Sequence, residues 1–587
     1  MAAPARSIWM VLGAVSIIFH LGLIFSGLVP NLLSRPLHMA LALPWVFLFT
    51  ATGNWQKITG AIFTIAGLVS SLYIALNENA LSDQYGYLNG DLQIVVGSTL
   101  LIVTLEMARR SVGWPLPLVA ATALAYGFFG QYLPGEFGHP EIPLRSFLGT
   151  MTIAEGGIWG KLTGVSVSIV SIFVIMGAVL NAGEAGQGFM NLATAAAGNL
   201  KGGAAKVSTL SSALFGSISG SASANVASTG AITLPAMTRL GYPKAFAGAV
   251  EAVASSGGQI MPPLMGAGAF VMVELTGTPY TGIMAAALLP ALLYFITVWV
   301  GINAFSHRYV LEGLPADQQP VRKEVIITTG FFAIPFLVLM ERMFIGGMTP
   351  QYAACVAILV AFLLLFLDGR LTFNLKRTTD RLGNVCLSTG KQISMIASII
   401  LCASIVIGVL GATGLGVKIT SLILSGSGEM LWPAVMLTAI ACLVLGMEVP
   451  TTAAYVICIS VAGPALQKLG LEPLQAHLFV FWFALLSTIT PPVCGAVFIA
   501  AGMVGENWLK VSINAMALGL GLYIIPLALI ANPALIELSA QPLMALFVFA
   551  KIAVGLTAIS YGIIAPLNPI LRIALTSAGF IVIFLFS

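Results

Sequence analysis

Four short stretches concentrate the side chains able to do chemistry. Ser217, Ser219, Ser221, Ser223 and Asn225 crowd around Gly220, while Ser255, Ser256, Gly257, Gly258 and Gln259 run directly into Pro262 and Pro263. Far along the chain come Glu448, Pro450, Thr451 and Thr452, followed by Ser487, Thr488, Thr490, Pro491, Pro492 and Gly495. No catalytic nucleophile–base pair is recognisable among them. Small hydroxyls and amides beside helix breakers instead offer oxygen ligands to a small cation, supplemented by carbonyls of unwound backbone. Half-helix N-termini at the same breaks offer positive dipole ends to an anionic solute. The competing structural reading is that each hydroxyl only bonds the preceding turn of its own helix. It accounts for single residues more easily than for the set.

Other chemistries find little support. The six cysteines have no metal-type spacing and mostly sit inside apolar runs, as small buried hydrophobes do. The five histidines are scattered without an HExxH pair, so neither a transition metal nor a cofactor is expected. A membrane-embedded enzyme would need a nucleophile and base, or a metal cluster, at one depth, and none is readable. No basic tract suits a nucleic acid.

The elements that position these stretches must be membrane helices. Of 587 residues 58% are apolar and only 8% charged, and mean hydropathy is +1.00. A soluble protein of this length could not solvate its surface with so few charges. Apolar segments of about 20 residues recur from end to end, each long enough to span a bilayer as a helix. The 62 Gly and 30 Pro fit helices that pack closely or are broken. The expected class is an all-α polytopic membrane protein. Its first apolar run, 8–29, is long for a signal peptide and lacks a small-residue cleavage site, so it reads as a retained helix.

Loop charges thread the chain. Arg6 puts the N-terminus in the cytoplasm, and helices near 8–29, 37–51, 58–76 and 92–108 follow. The acidic loop 77–91 lies outside, and Arg109 and Arg110 return the chain inside. Residues 1–110 form a first unit. A helix near 112–133 and an outer interfacial stretch, 143–161, carrying Phe147, Ile153 and Trp159, make up 111–163. The segment 164–305 holds a helix to about 182, a nearly uncharged run near 207–237 and a helix, 245–276, interrupted at Pro262-Pro263. Basic residues at both ends of 207–237 imply entry and exit on one side, hence a re-entrant hairpin; the alternative is a helical pair with a short outer loop. Linking helices occupy 306–385. Residues 386–531 repeat the earlier events, with a hairpin near 431–466 and a broken helix at 475–504. Residues 532–587 add two C-terminal helices.

The repeat is visible residue by residue. One gapless offset of 229 pairs Pro235 with Pro464, Gly241 with Gly470, Pro262-Pro263 with Pro491-Pro492 and Gly266 with Gly495, and sets Ser223 on Thr452. Loop charges make the first hairpin open from the cytoplasm and the second from outside. Inverted halves of this kind are the architecture of secondary transporters.

The segments Ser217 to Asn225, Ala249 to Pro263 and Ser487 to Pro492 closely resemble the membrane subunits of TRAP transporters, in particular the TAXI branch, where small and large subunits are commonly fused. The resemblance covers nearly the whole chain, with residues 1–110 in the place of the small subunit. It implies an elevator mechanism, a separate periplasmic substrate-binding protein, a small carboxylate as substrate and sodium as the usual coupling ion. On it, Ser219, Ser221, Ser223, Asn225, Ser256, Gly258 and Gln259 line one half of the site. Pro450, Thr451, Thr452, Ser487, Thr488, Thr490 and Gly495 line the other. Glu448 departs from the family pattern, which has a small residue there. A carboxylate at such depth is a functional candidate, adding charge to a sodium site or carrying a proton in place of one sodium; the plainer reading is a hydrated side chain without a coupling role. Glu251 and Glu274 read as structural. The resemblance further implies a bacterial inner-membrane location, and fusion favours a monomer. A sodium–dicarboxylate symporter that needs no binding protein is the alternative; it does not normally carry a fused four-helix unit.

Overall fold

The computed structural model describes residues 3–585 except Val310, Met447, Glu448 and Val493, and omits the side chains of residues 3–5 and Ser219. The fold is all-α. Among the described residues ten helices are long and apolar enough to cross a membrane, and the only β-bridge joins Leu367 to Phe373. Helices dominate because a backbone leaving water must satisfy its N–H and C=O groups within its own segment.

The first unit comprises Ala3–Phe25, Asn31–Phe49, Asn54–Leu76 and Asp91–Val112. Its first helix stops short of the expected residue 29, because Gly27 turns left-handed (φ +77°) and Pro30 caps the next helix. The unit packs on a 39-residue helix, Leu375–Thr413, whose N-cap Asn374 accepts from Arg377 N at 3.1 Å. That helix begins within 306–385, so the expected boundary at 385 falls inside an element.

The stretch 143–161, expected along the outer interface, is packed against the protein. Leu144–Thr152 is a short helix, and Phe147, Ile153 and Trp159 are buried. The indole N–H of Trp159 donates to Thr152 O at 2.7 Å, so its one polar atom is satisfied without water.

The expected hairpins are pairs of helices, Gly203–Ser219 with Ala222–Arg239 and Leu431–Leu445 with Thr451–Lys468. The interrupted helices are Lys244–Gly257 with Ala267–Thr276 and Pro473–Leu486 with Gly495–Val504. Cis peptide bonds occur at Pro262-Pro263 and Pro491-Pro492. Two further helices, Ala185–Ala197 and Leu415–Gly426, stand where the sequence reading has only connections. They too are related by the offset of 229, as are Ala222–Arg239 and Thr451–Lys468 and the helices Lys244–Gly257 and Pro473–Leu486. Small residues hid them: Ala185–Ala197 is rich in Ala and Gly, and Leu415–Gly426 is short.

Candidate functional site

Gly220 ends the first arm of the first hairpin in a left-handed conformation (φ +62°), which no β-carbon opposes. Ser221 then caps the returning arm, accepting from Ala224 N at 3.4 Å. In the second hairpin Pro450 is the N-cap of the returning arm and supplies the extended residue before Thr451. These turns bring both hairpin tips to one place. There they meet the breaks of both interrupted helices around a single cavity of about 410 Å³.

Ser221, Ser223 and Gln259 line the cavity on one side, and Thr451, Thr452 and Thr488 on the other, with Pro450, Ser487 and Gly495 beside them. The two halves nearly touch: a β-carbon on Gly495 would stand 3.8 Å from Ser223 Oγ. Four helix N-termini open here, those of Ala222–Arg239, Ala267–Thr276, Thr451–Lys468 and Gly495–Val504. The arms and half-helices that precede them end at the same place, presenting carbonyls. Among the described lining residues none is Asp, Glu, Lys, Arg or His. The polarity of the described lining therefore comes from hydroxyls, amides and helix ends, a set able to hold a small cation and an anion side by side.

Other expected site residues hold the walls rather than line them. Asn225 is fully buried, and its Nδ2 donates to Ser212 O at 2.9 Å and Ser255 O at 3.5 Å, tying both hairpin arms to the first broken helix. Ser256 Oγ and Thr488 Oγ1 share a hydrogen bond of 2.8 Å between the two broken helices. Gly258 lies against Gly216, with room for no side chain between them. Thr490 pairs with the Tyr523 hydroxyl at 2.7 Å and is not among the lining residues. The side chain of Ser219 and all of Glu448 lie outside the described residues.

The third wall comes from helices Lys161–Ala182 and Leu375–Thr413 and from Val112. It is apolar (Val170, Phe173, Met395, Ile396) except for Gln392, whose Nε2 donates to Ser388 Oγ at 2.7 Å. Sequence reading missed Gln392; an amide within a largely apolar helix was the available signal.

The family description "Tripartite ATP-independent periplasmic transporter, DctM component" matches residues 99–544. Similar curated proteins include the C4-dicarboxylate TRAP transporter large permease protein DctM of Pseudomonas aeruginosa, 26% identical over 57% of this chain and 77% of the relative. The ectoine TRAP transporter large permease protein TeaC of Halomonas elongata is 23% identical over 70% of this chain and 92% of its own length. The isethionate TRAP transporter permease protein DctMQ of Oleidesulfovibrio alaskensis is 24% identical over 61% of this chain and 55% of its own. With the family match spanning most of its length, the chain belongs to the DctM component family of tripartite ATP-independent periplasmic transporters, and is a polytopic membrane transporter rather than an enzyme.

Proposed function

We propose that this protein imports a small organic acid across the bacterial inner membrane by secondary transport, fed by a periplasmic binding protein and driven by sodium, with protons as an added or alternative coupling ion. The observation that carries this reading is the 410 Å³ cavity where hydroxyls and four helix N-termini converge. Its volume suits a small solute, and its oxygens suit sodium. Substrates named for relatives are C4-dicarboxylate, ectoine and isethionate. Hairpins and broken helices would move as one carrier body, in an elevator mechanism, against the apolar wall of Lys161–Ala182 and Leu375–Thr413. In this reading the two halves are inverted in the membrane, the N-terminus is cytoplasmic, and the working unit is a monomer. The family match starts at residue 99, which supports residues 1–110 as a fused small subunit; the TAXI branch rests on the motif resemblance. Glu448, next but one to the cavity residue Gly446, is proposed to contribute to ion coupling.

The test is the melting temperature of purified protein in sodium against potassium or choline at constant ionic strength. A cation that binds only the folded state stabilises it, by about 2.7 kcal/mol at a hundredfold excess over Kd. A saturable, sodium-specific rise is expected, reduced in Thr452→Ala and Ser223→Ala. No sodium-specific shift would overturn sodium coupling.

A further inference from the structure

One charged side chain outside the cavity lining is enclosed on every side. Glu251, in the helix Lys244–Gly257, has no solvent exposure. Its Oε2 accepts from Ser208 Oγ at 2.7 Å and from Thr233 Oγ1; its Oε1 accepts from Ser212 Oγ and Ser255 Oγ, both at 3.2 Å, and from Thr229 Oγ1. Ser208 and Ser212 lie on the first arm of the first hairpin, Thr229 and Thr233 on its returning arm.

No cation joins this cluster among the described residues. On the first arm, Lys206 lies over the Trp299 ring, 4.9 Å from its centre. Arg239, at the end of the returning arm, and Lys244, at the start of Glu251's own helix, are exposed. Lys510 pairs with Glu506 at 3.6 Å. Tyr294 donates to Val253 O at 2.7 Å, while Tyr280, His307, Arg308 and Tyr309 stand at the ends of the helix Tyr280–Tyr309. A buried carboxylate without a counter-charge is costly, and among the described residues the compensation here is hydroxyl donors.

Two of those donors have an alternative. Thr229 Oγ1 also reaches Asn225 O at 2.8 Å, and Thr233 Oγ1 reaches Thr229 O at 3.1 Å. Each hydroxyl carries a single proton. With Glu251 ionised, all five hydroxyls donate to it. With Glu251 protonated, its own O–H donates to one threonine oxygen, and that threonine turns its proton to the carbonyl of its own helix. Both patterns leave every polar group satisfied, and they differ by one proton and one hydroxyl rotation.

We propose that Glu251 is a proton-binding site within the hairpin unit, taking up and releasing one proton during the transport cycle. The proton is supplied by hydronium of the aqueous phase, leaving water behind, and adds to a carboxylate oxygen; no bond between heavy atoms changes. In the ionised state charge-assisted bonds draw the returning arm onto the helix Lys244–Gly257; protonation reverses one of them and removes the charge that strengthens the rest. Proton occupancy is thereby linked to how firmly the hairpin is held. The inference rests on the carrier reading for its place in a cycle, and its test does not need a substrate.

The experiment is an infrared titration of the full chain in lipid nanodiscs, comparing wild type, Glu251→Gln and Glu448→Gln in potassium and in sodium buffer. In the difference between wild type and Glu251→Gln, which cancels the bands of the other acidic residues, the carbonyl stretch of one protonated carboxyl group is expected to grow as pH falls, and the same component is expected to persist in Glu448→Gln. In Glu251→Asp and Thr233→Val, which keep a titratable carboxyl, its midpoint is expected to be displaced. No pH-dependent carboxyl component in that difference, or unchanged midpoints in both remaining variants, would each overturn the proposal. Such a failure leaves the carrier reading to its own sodium and uptake tests.

Discussion

A β-carbon on Gly258 would stand 2.5 Å from Gly216 Cα and 3.0 Å from Ser212 O. Both are backbone atoms of the hairpin arm, so neither can swing aside. Gly258→Ala is therefore expected to destabilise the protein by about 1–3 kcal/mol, the usual cost of overpacking. A lower melting temperature with an intact sodium increment would assign Gly258 to packing; loss of the increment alone would make its backbone a ligand. Glu448 calls for a different measurement. If it takes part in coupling, Glu448→Gln changes the pH dependence of uptake, and profiles identical to wild type would remove it from that role. Resemblance singled out Gly258 and Asn225 as site residues. Their work in the structure is close approach and hairpin anchoring, a distinction that depends on which neighbour each one meets.

At the scale of elements, the walls of the cavity belong to two groups of helices that touch with few polar ties. Lys161, at the start of Lys161–Ala182, pairs with Glu274 on the half-helix Ala267–Thr276 at 3.8 Å, with the Lys161 side chain 76% and the Glu274 side chain 38% exposed. A pair with exposed partners contributes little stability, so it would break and re-form readily if one group moves past the other, as the elevator reading proposes. Cysteines placed at 161 and 274 and joined by a short cleavable linker are expected to stop uptake, with recovery after cleavage. Uptake unaffected by complete cross-linking would exclude relative motion of these two helices. Other contacts in the same region are built to stay. His38 Nε2 lies 3.1 Å from Ser166 Oγ, and His38 Nδ1 lies 2.8 Å from His20 Nε2. His20 Nδ1 must donate to Ser16 O, at 2.6 Å, because a carbonyl only accepts. That fixes the direction of the neutral chain, Ser166 to His38 to His20, and joins the first two helices to Lys161–Ala182.

For the whole molecule, the first unit is attached to the rest through buried polar contacts as well as apolar packing. The Arg35 guanidinium donates to Trp159 O and pairs with Glu155 at 3.6 Å. Such contacts would suit a unit that stays still in the proposed elevator mechanism. Membership of a tripartite family leads to a prediction at this scale: deleting the neighbouring binding protein abolishes uptake in cells that retain the membrane protein. Uptake that persists would favour a symporter that works without one.

Composition alone made this a membrane protein, because 8% charged residues cannot solvate a chain of 587. The gapless offset carried by Pro262-Pro263 and Pro491-Pro492 located both helix breaks, since Pro and Gly act on the backbone locally wherever they stand. The hairpin turn at Gly220 was legible for the same reason. The particular contacts by which the two halves meet were not. That Ser223 approaches Gly495, that Ser256 bonds Thr488, and that Gln392 closes the cavity from a third wall are facts of packing between segments far apart in the chain. Nor could spacing reveal that Glu251 gathers hydroxyls from both hairpin arms. Local chemistry writes breaks and turns into the sequence, whereas the partners of a buried polar group are chosen only when helices meet.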